Sequence, residues 1–408
     1  MFRKRHIIVS LIAASLSLVL WHGTRGIVNM LSFLNPVERA LANFHMTDLF
    51  CEAENGNYPQ DTSSVITIVD MSEVFNRAEL ATIIEHIDNL QPAIIGVDIR
   101  FDGERDDHFG NERLIETVLN TNSPIIWANM LSNWSDEEKQ FTKVLHSFFV
   151  DRGIKVEEGF TNVQHDFNGG TVRSYGIKRQ AEGLTYYSLP TRLAIAMDST
   201  ILKKYDDCNN SLLTRLAIAM TGDSTILKKY DDCNIRYSST HFPIVPFDKI
   251  TENADLIRNR IVILGAIDDK RDMHYCPIGP TSGISIIAFA TNTLINDNAP
   301  KELSFGWMVL LSLFLIWFAE VMHETFRWGV SHIKWLRAIA ERGILDGIYI
   351  LLYLMLVLVL IDYFVFKLTS YYYDTAFIIM SILLLDTSRQ IYDYIKENTS
   401  RKANFKFH

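Results

Sequence analysis

The apolar residues of this 408-residue chain gather into four runs, one at the N-terminus and three near the C-terminus, around a stretch that reads as a soluble domain. That spacing constrains the fold more than any other feature, because a helix needs about 20 apolar residues to cross a bilayer. Arg3, Lys4 and Arg5 precede the run Ile7–Trp21, and no small-x-small cleavage site follows it directly. The segment therefore reads as an uncleaved signal anchor. The C-terminal runs are Phe305–Met322, Ile348–Phe366 and Tyr371–Leu385. Arg327, Lys334, Arg337 and Arg342 lie between the first two, and Arg389, Lys396, Arg401, Lys402 and Lys406 follow the third. The positive-inside rule then predicts four transmembrane α-helices, at residues 7–22, 305–323, 348–366 and 371–387. Residues 1–6, 324–347 and 388–408 are expected in the cytoplasm, and residues 23–300 outside it. The protein is accordingly expected to be a multi-pass protein of the plasma (inner) membrane. Asp362 and Asp386 sit at the ends of apolar runs and read as interfacial carboxylates.

Between the runs the pattern is α/β. Pro36 follows Asn35 at a helix start, with Val37, Ala40, Leu41 and Phe44 behind it at helical spacing. Val65–Val69 is a buried-type strand ending at Asp70, and Ala93–Val97 is a second ending at Asp98. Leu80, Ile83, Ile84, Ile87 and Leu90 recur at helical spacing between them, and a helix over Glu112–Leu119 leads to a third strand, Pro124–Ala128. A late strand, Ile261–Gly265, precedes a helix over Ile284–Ile295. Strand–helix–strand units of this length predict a parallel-sheet core. The stretch Gly153–Arg179, rich in Gly and β-branched residues, predicts a β-rich insertion of short antiparallel strands. The formal charge of −9 argues against nucleic acid as a partner, which needs a basic face.

Residues 188–234 hold a near-perfect tandem duplication. Ser188–Asn209 recurs as Ser211–Asn234, with Leu213 in place of Pro190 and Thr221-Gly222 inserted. Two almost identical copies are too few for a solenoid. One copy is expected to supply a helix and the other to loop out. Cys208 and Cys233 are thus one position counted twice. With Cys51 and Cys276 they lack zinc-site spacing, and both a disulfide and unpaired thiols stay open.

The order of these motifs resembles the type-two CHASE (CHASE2) extracellular sensory domain over roughly Asn35 to Asp297. The carriers are Ile66–Ser72, Ile94–Phe101 and Arg260–Gly265, with Asp272 and Pro277 behind the last and Gly283 opening a helix. The resemblance implies a sensor or receptor subunit that detects an extracytoplasmic cue. The family's usual output domain is not expected here, so the signal would pass to a separate cytoplasmic signalling protein. Where the family often begins the helix after the glycine with a histidine, this chain has Ile284 and Ser285. The implied partners are the lipid bilayer, an extracytoplasmic ligand and that cytoplasmic protein, with a homodimer as a further option.

Ligands of open α/β sheets sit beyond the carboxyl ends of the strands. The candidate ligand-binding residues are therefore Asp70, Ser72, Asp98, Asp272 and His274. Carboxylates with one histidine also suit a divalent cation, which nominates Asp98, Asp268, Asp269, Asp272 and His274 as metal ligands. No resident cofactor is otherwise expected. The competing reading makes Asp70 and Asp98 caps of the following turns and leaves the acidic loop solvated. No G-x-S-x-G, P-loop or H-E-x-x-H motif occurs, so no catalytic residue is expected. A non-sensory membrane scaffold and a metal-dependent extracytoplasmic hydrolase are the alternative functions.

Overall fold

Local chemistry sets the first strand–helix unit. The β-branched stretch Ile66–Asp70 forms strand β1, buried on both faces. The side chain of Asn76 then accepts from the Glu79 amide at 2.7 Å and donates back to the Glu79 carboxylate, starting a helix over Arg77–Asn89. The computed structural model describes residues 4–30, 46–57, 61–163, 170–201, 232–238, 240–303, 305–332, 352–353, 360, 362–372 and 381–405. The expected helix after Pro36 lies outside these residues.

In chain order the helices are α1 (Lys4–Met30), α2 (Met46–Asn57), α3 (Arg77–Asn89), α4 (His108–Asn120), α5 (Phe148–Asp151) and α6 (Leu189–Met197). After these come α7 (Gly283–Asn296), α8 (Phe305–Ser331), α9 (Asp362–Thr369) and α10 (Leu385–Phe405). After β1, the strands of the principal sheet are β2 (Ile94–Val97), β3 (Ile125–Ser135), β4 (Gln140–Leu145) and β5 (Glu157–Phe160). A small strand β6 (Ser174–Gly176) precedes β7 (Lys178–Ala181) and β8 (Leu184–Tyr187). Then follow β9 (Asp232–Asn234), β10 (Ile244–Pro246), β11 (Ile261–Gly265) and the hairpin strands β12 (Met273–Cys276) and β13 (Gly279–Ser282).

The chain divides into two compact units, Ala42–Ala299 and a second made of Met1–Leu41 with Pro300–His408. In the first unit a nine-stranded sheet runs in the order β10-β1-β11-β2-β3-β4-β7-β8, with β5 also paired to β3. Its centre is parallel, with β1 between β10 and β11 and β2 between β11 and β3. The expected parallel core is thus part of a mixed sheet, because β3 extends to Ser135 and turns back antiparallel into β4. The Gly-rich middle also departs from an all-antiparallel insertion: β5 joins β3 in parallel, while β6 pairs antiparallel with β9.

Alternation along the central strands builds a core on each face. Ile66, Ile68, Ile94, Ile261 and Ile263 pack with Leu193 of α6 and Ile284 and Ile287 of α7. Val69, Ile95, Val97, Val262 and Leu264 pack on the other side with Leu80, Ile84 and Ile87 of α3 and Leu114 of α4. The duplicated segment contributes from both copies. The first supplies α6, with Ser188 at its N-cap and Pro190 in its first turn. The last three residues of the second form β9, where Cys233 is buried opposite Tyr175. Residues 202–231 lie outside the described residues. Cys51 and Cys276 are free, buried thiols, and Cys233 is buried.

The second unit corrects the expectation of four transmembrane helices and a multi-pass chain. Among the described residues, no helix is long and apolar enough to cross a membrane. The reason lies in where the polar groups fall. Helix α1 opens on Lys4, Arg5 and His6, and α8 carries Glu320, His323 and Glu324 within its length. Helix α9 begins at Asp362. Most of the apolar runs expected at 348–366 and 371–387 fall outside the described residues. Val9 and Ala13 of α1 pack with Leu315, Ile316 and Ala319 of α8 and with Leu385 of α10. Beside that seam, the buried Glu320 carboxylate accepts from Arg389 at 2.6 and 2.8 Å and stands 3.7 Å from His6 Nδ1. His6 Nε2 meets Glu324 at 2.9 Å. Buried charge of this kind is tolerated because it is paired.

Candidate functional site

Strands β1, β11 and β2 end side by side, and their last residues set up two different arrangements. At the end of β1, Asp70 Oδ1 accepts from the Ser72 amide (3.0 Å), the Ser72 hydroxyl (2.6 Å) and the Ile267 amide (3.3 Å). The Ser72 hydroxyl oxygen also accepts from the amides of Ile267 and Asp268 at 3.1 and 3.2 Å. Asp70 Oδ1 and the Ser72 hydroxyl therefore fasten the loop that leaves β11.

Asp98 follows the last residue of β2. Its backbone amide continues the sheet by donating to Leu264 O at 2.8 Å. No hydrogen bond to its half-buried side chain is found among the described residues. Burial pushes this carboxyl up to about 7, and the nearby charge of Asp272 adds to the rise. Glycine makes room for the arrangement: a Cβ on Gly265 would meet Ile284 Cδ1 at 2.8 Å and Asp98 Cβ at 3.4 Å. Asp98 is thus held against the first turn of α7.

Asp272 reaches the same place from the loop after β11. A Cβ on Gly283 would meet Asp272 Oδ2 at 2.3 Å, so the carboxylate covers the first residue of α7. Negative charge there is favoured by the helix dipole. Asp272 Oδ1 lies 3.3 Å from His274 Nε2. Ser282, the N-cap of α7, makes no side-chain bond to the helix backbone, and its hydroxyl lies 2.9 Å from that of Ser285. Asp269 is occupied differently: it caps the short turn Lys270–Asp272, and the Arg271 amide and guanidinium hold its carboxyl below the usual range. The Asp268 amide is bound by Ser72.

Of the seven nominated residues, the structure brings Asp98, Asp272 and His274 to the start of α7 and sends Asp70, Ser72, Asp268 and Asp269 to the fastening of the loop. Among the described residues, no group of three or more His, Cys, Asp or Glu side chains is placed to hold a metal ion. Sequence reasoning missed Tyr175. The residue is 1% exposed, its hydroxyl has no hydrogen-bond partner among the described residues, and burial raises its pKa, with the charges of Asp98 and Asp272 adding to the rise. The only signal would have been an aromatic residue between Ser174 and Gly176 in an otherwise Gly-rich stretch.

Next to Asp272 is a cleft of about 590 Å³, lined among others by Ile267, Lys270, Met273, Ile278, Ser285 and Phe289. Lys270 and Met273 flank Asp272 in the chain, so the carboxylate sits at the cleft's edge. The combination of an apolar recess and a few convergent polar groups is that of a small-molecule site.

The family model described as "CHASE2 domain" matches residues 18–322 of the chain. No curated protein and no solved structure matches it.

Proposed function

The chain belongs to the CHASE2 domain family, a family of extracellular sensory rather than catalytic domains, and on that premise we propose that it detects a small extracytoplasmic molecule and passes the signal to a separate signalling protein. The observation that carries the reading is the contrast at the strand ends. Asp70 Oδ1 accepts three bonds that hold the fold, whereas no hydrogen bond to the Asp98 side chain is found among the described residues. A carboxylate left in that condition gains partners when a ligand arrives, and binding energy of that kind can shift a conformational equilibrium.

The bilayer is proposed as a neighbour of the second unit. Trp307, Leu310, Phe314 and Phe318 recur at helical spacing on α8 and are all exposed. A helix face of this composition suits lying against a membrane interface. Flotation of the full chain with liposomes tests this, and loss of flotation in Leu310→Glu/Phe314→Glu supports it.

The sensory reading is tested by crosslinking in cells that carry wild-type or Asp98→Asn protein. Recovery of a signalling protein whose yield changes with the external medium, and no longer changes in Asp98→Asn, is the expected result. A yield that never responds to the medium would overturn it and favour a scaffold.

A further inference from the structure

The cleft beside α7 carries two opposite charges that the fold leaves unused. Asp268 and Lys270 both line it, on the turn that follows β11. The other charged groups of that turn are engaged, Asp269 with Arg271 and Asp272 with His274, each at 3.3 Å. The side chains of Asp268 and Lys270 are exposed and have no ion-pair or hydrogen-bond partner among the described residues. The backbone beneath them is held in place. The Ser72 hydroxyl accepts from the amides of Ile267 and Asp268 at 3.1 and 3.2 Å, and Asp269 Oδ1 accepts from the Arg271 amide at 2.9 Å. Both charges are therefore presented from a fastened turn, which lowers the cost of ordering them around a ligand.

The rest of the lining sets the other requirements. Ile267, Met273, Ile278 and Phe289 form an apolar wall, and Met273 is 41% exposed. The Ser282 and Ser285 hydroxyls, also in the cleft, lie 2.9 Å apart, so one donates to the other and the acceptor keeps its own proton to offer. A carboxylate is the acceptor that both this hydroxyl and Lys270 lack. A simple anion, however, would satisfy Lys270 and stand against Asp268, and a simple cation would do the reverse. A zwitterion with an apolar body meets both charges and the wall together.

We propose that this cleft binds a zwitterionic amino acid with an apolar side chain, its ammonium on Asp268, its carboxylate on Lys270 and its side chain against Met273, Ile278 and Phe289. The proposal names the ligand class for the sensory reading and rests on that reading only for its biological role.

The test is calorimetric titration of the purified full chain with L-phenylalanine, phenylpropionate and phenethylammonium, which share an apolar body and differ in charge. Saturable binding of L-phenylalanine is expected, roughly fivefold tighter than that of either singly charged analogue. Lys270→Met should abolish the preference over phenethylammonium, and Asp268→Asn the preference over phenylpropionate, with circular dichroism unchanged in both. Absence of L-phenylalanine binding, equal binding of all three compounds, or a preference that survives both substitutions would each overturn the proposal. Tighter binding of either analogue would overturn it too, and would reassign the cleft to a plain acid or a plain amine. L-Phenylalanine binding that leaves partner crosslinking unaltered would sink the sensory reading and leave the site assignment standing. A crosslinking response to the medium without amino-acid binding would do the reverse.

Discussion

The ends of β1 and β2 look alike in the chain, each a short β-branched strand closing on aspartate, yet the two aspartates occupy opposite conditions. Asp70 collects donors from three groups, two on Ser72 and one, the Ile267 amide, far along the chain, and so ties the β1 and β11 loops together. Asp98 collects none among the described residues and is pushed toward its neutral form by burial and by Asp272. The difference comes from the loop after β11: Ile267 and Asp268 turn toward β1, while Asp272 turns toward β2. One loop thus completes one strand end and leaves the other polarised and unfinished.

Four substitutions should break or sharpen this contrast. The largest effect is expected for Asp70→Leu, which strands the Ser72 amide and hydroxyl together. It should cost about 2–3 kcal/mol, read as a fall of several degrees in the thermal midpoint. An unchanged midpoint would mean that water replaces the carboxylate and that the two strand ends do not differ.

Asp98→Asn should have the opposite sign. The unfolded aspartate titrates near 3.8 and the folded one near 7, so the native state holds the proton more tightly between those values. Stability from this group is therefore greatest below about pH 4, falls as pH rises, and is fully lost above about pH 7. Asn removes the titration. At pH 8 the variant should be more stable than wild type by roughly 1–3 kcal/mol, and at pH 4 the two should nearly coincide. Chemical denaturation at both pH values measures this, and a destabilised variant at pH 8 would show that Asp98 acts as a cap.

Tyr175→Phe deletes an unpartnered hydroxyl and should leave stability within about 1 kcal/mol of wild type, or raise it. A loss well beyond that would reveal a hydrogen bond to the hydroxyl. Gly283→Ala should have the smallest effect on stability, under about 1 kcal/mol, because the clashing Asp272 side chain is 46% exposed and free to swing away. Its use is in separating the two carboxylates: with Asp272 displaced, the pH dependence attributed to Asp98 should weaken measurably.

The central sheet was legible because its residues answer to local rules. The β-branched runs at Ile66–Val69 and Ile261–Leu264 and the helical spacing of Leu80, Ile84 and Ile87 mark buried strands and an amphipathic helix wherever they occur. Antiparallel pairing of β3 with β4 was not legible, since nothing in Asn129–Ser135 distinguishes a strand that turns back from a loop. The membrane assignment failed for a different reason: counting apolar residues gave too little weight to Glu320 and His6, whose pairing inside a helix seam is a long-range fact. At the site, Asp98 and Asp272 could be nominated from their place after strands. Their difference from Asp70 and Asp269 could not, because it depends on which distant amides arrive. Tyr175 comes to the site through β6, a three-residue strand too short for any periodic signal.

Strand β9 draws on the end of the second repeat, but its sequence is written twice: Asp207-Cys208-Asn209 repeats as Asp232-Cys233-Asn234. Removing residues 210 to 234 would join Asn209 to Ile235 and restore Asp-Cys-Asn-Ile-Arg-Tyr without a changed letter, with the first-copy helix α6 still upstream. A recombination slip between the copies can therefore add or erase the extra segment while the buried cysteine, its strand and its helix are re-created each time. A change of length made in that way would leave the sequence of the sheet and of the cleft beside α7 untouched.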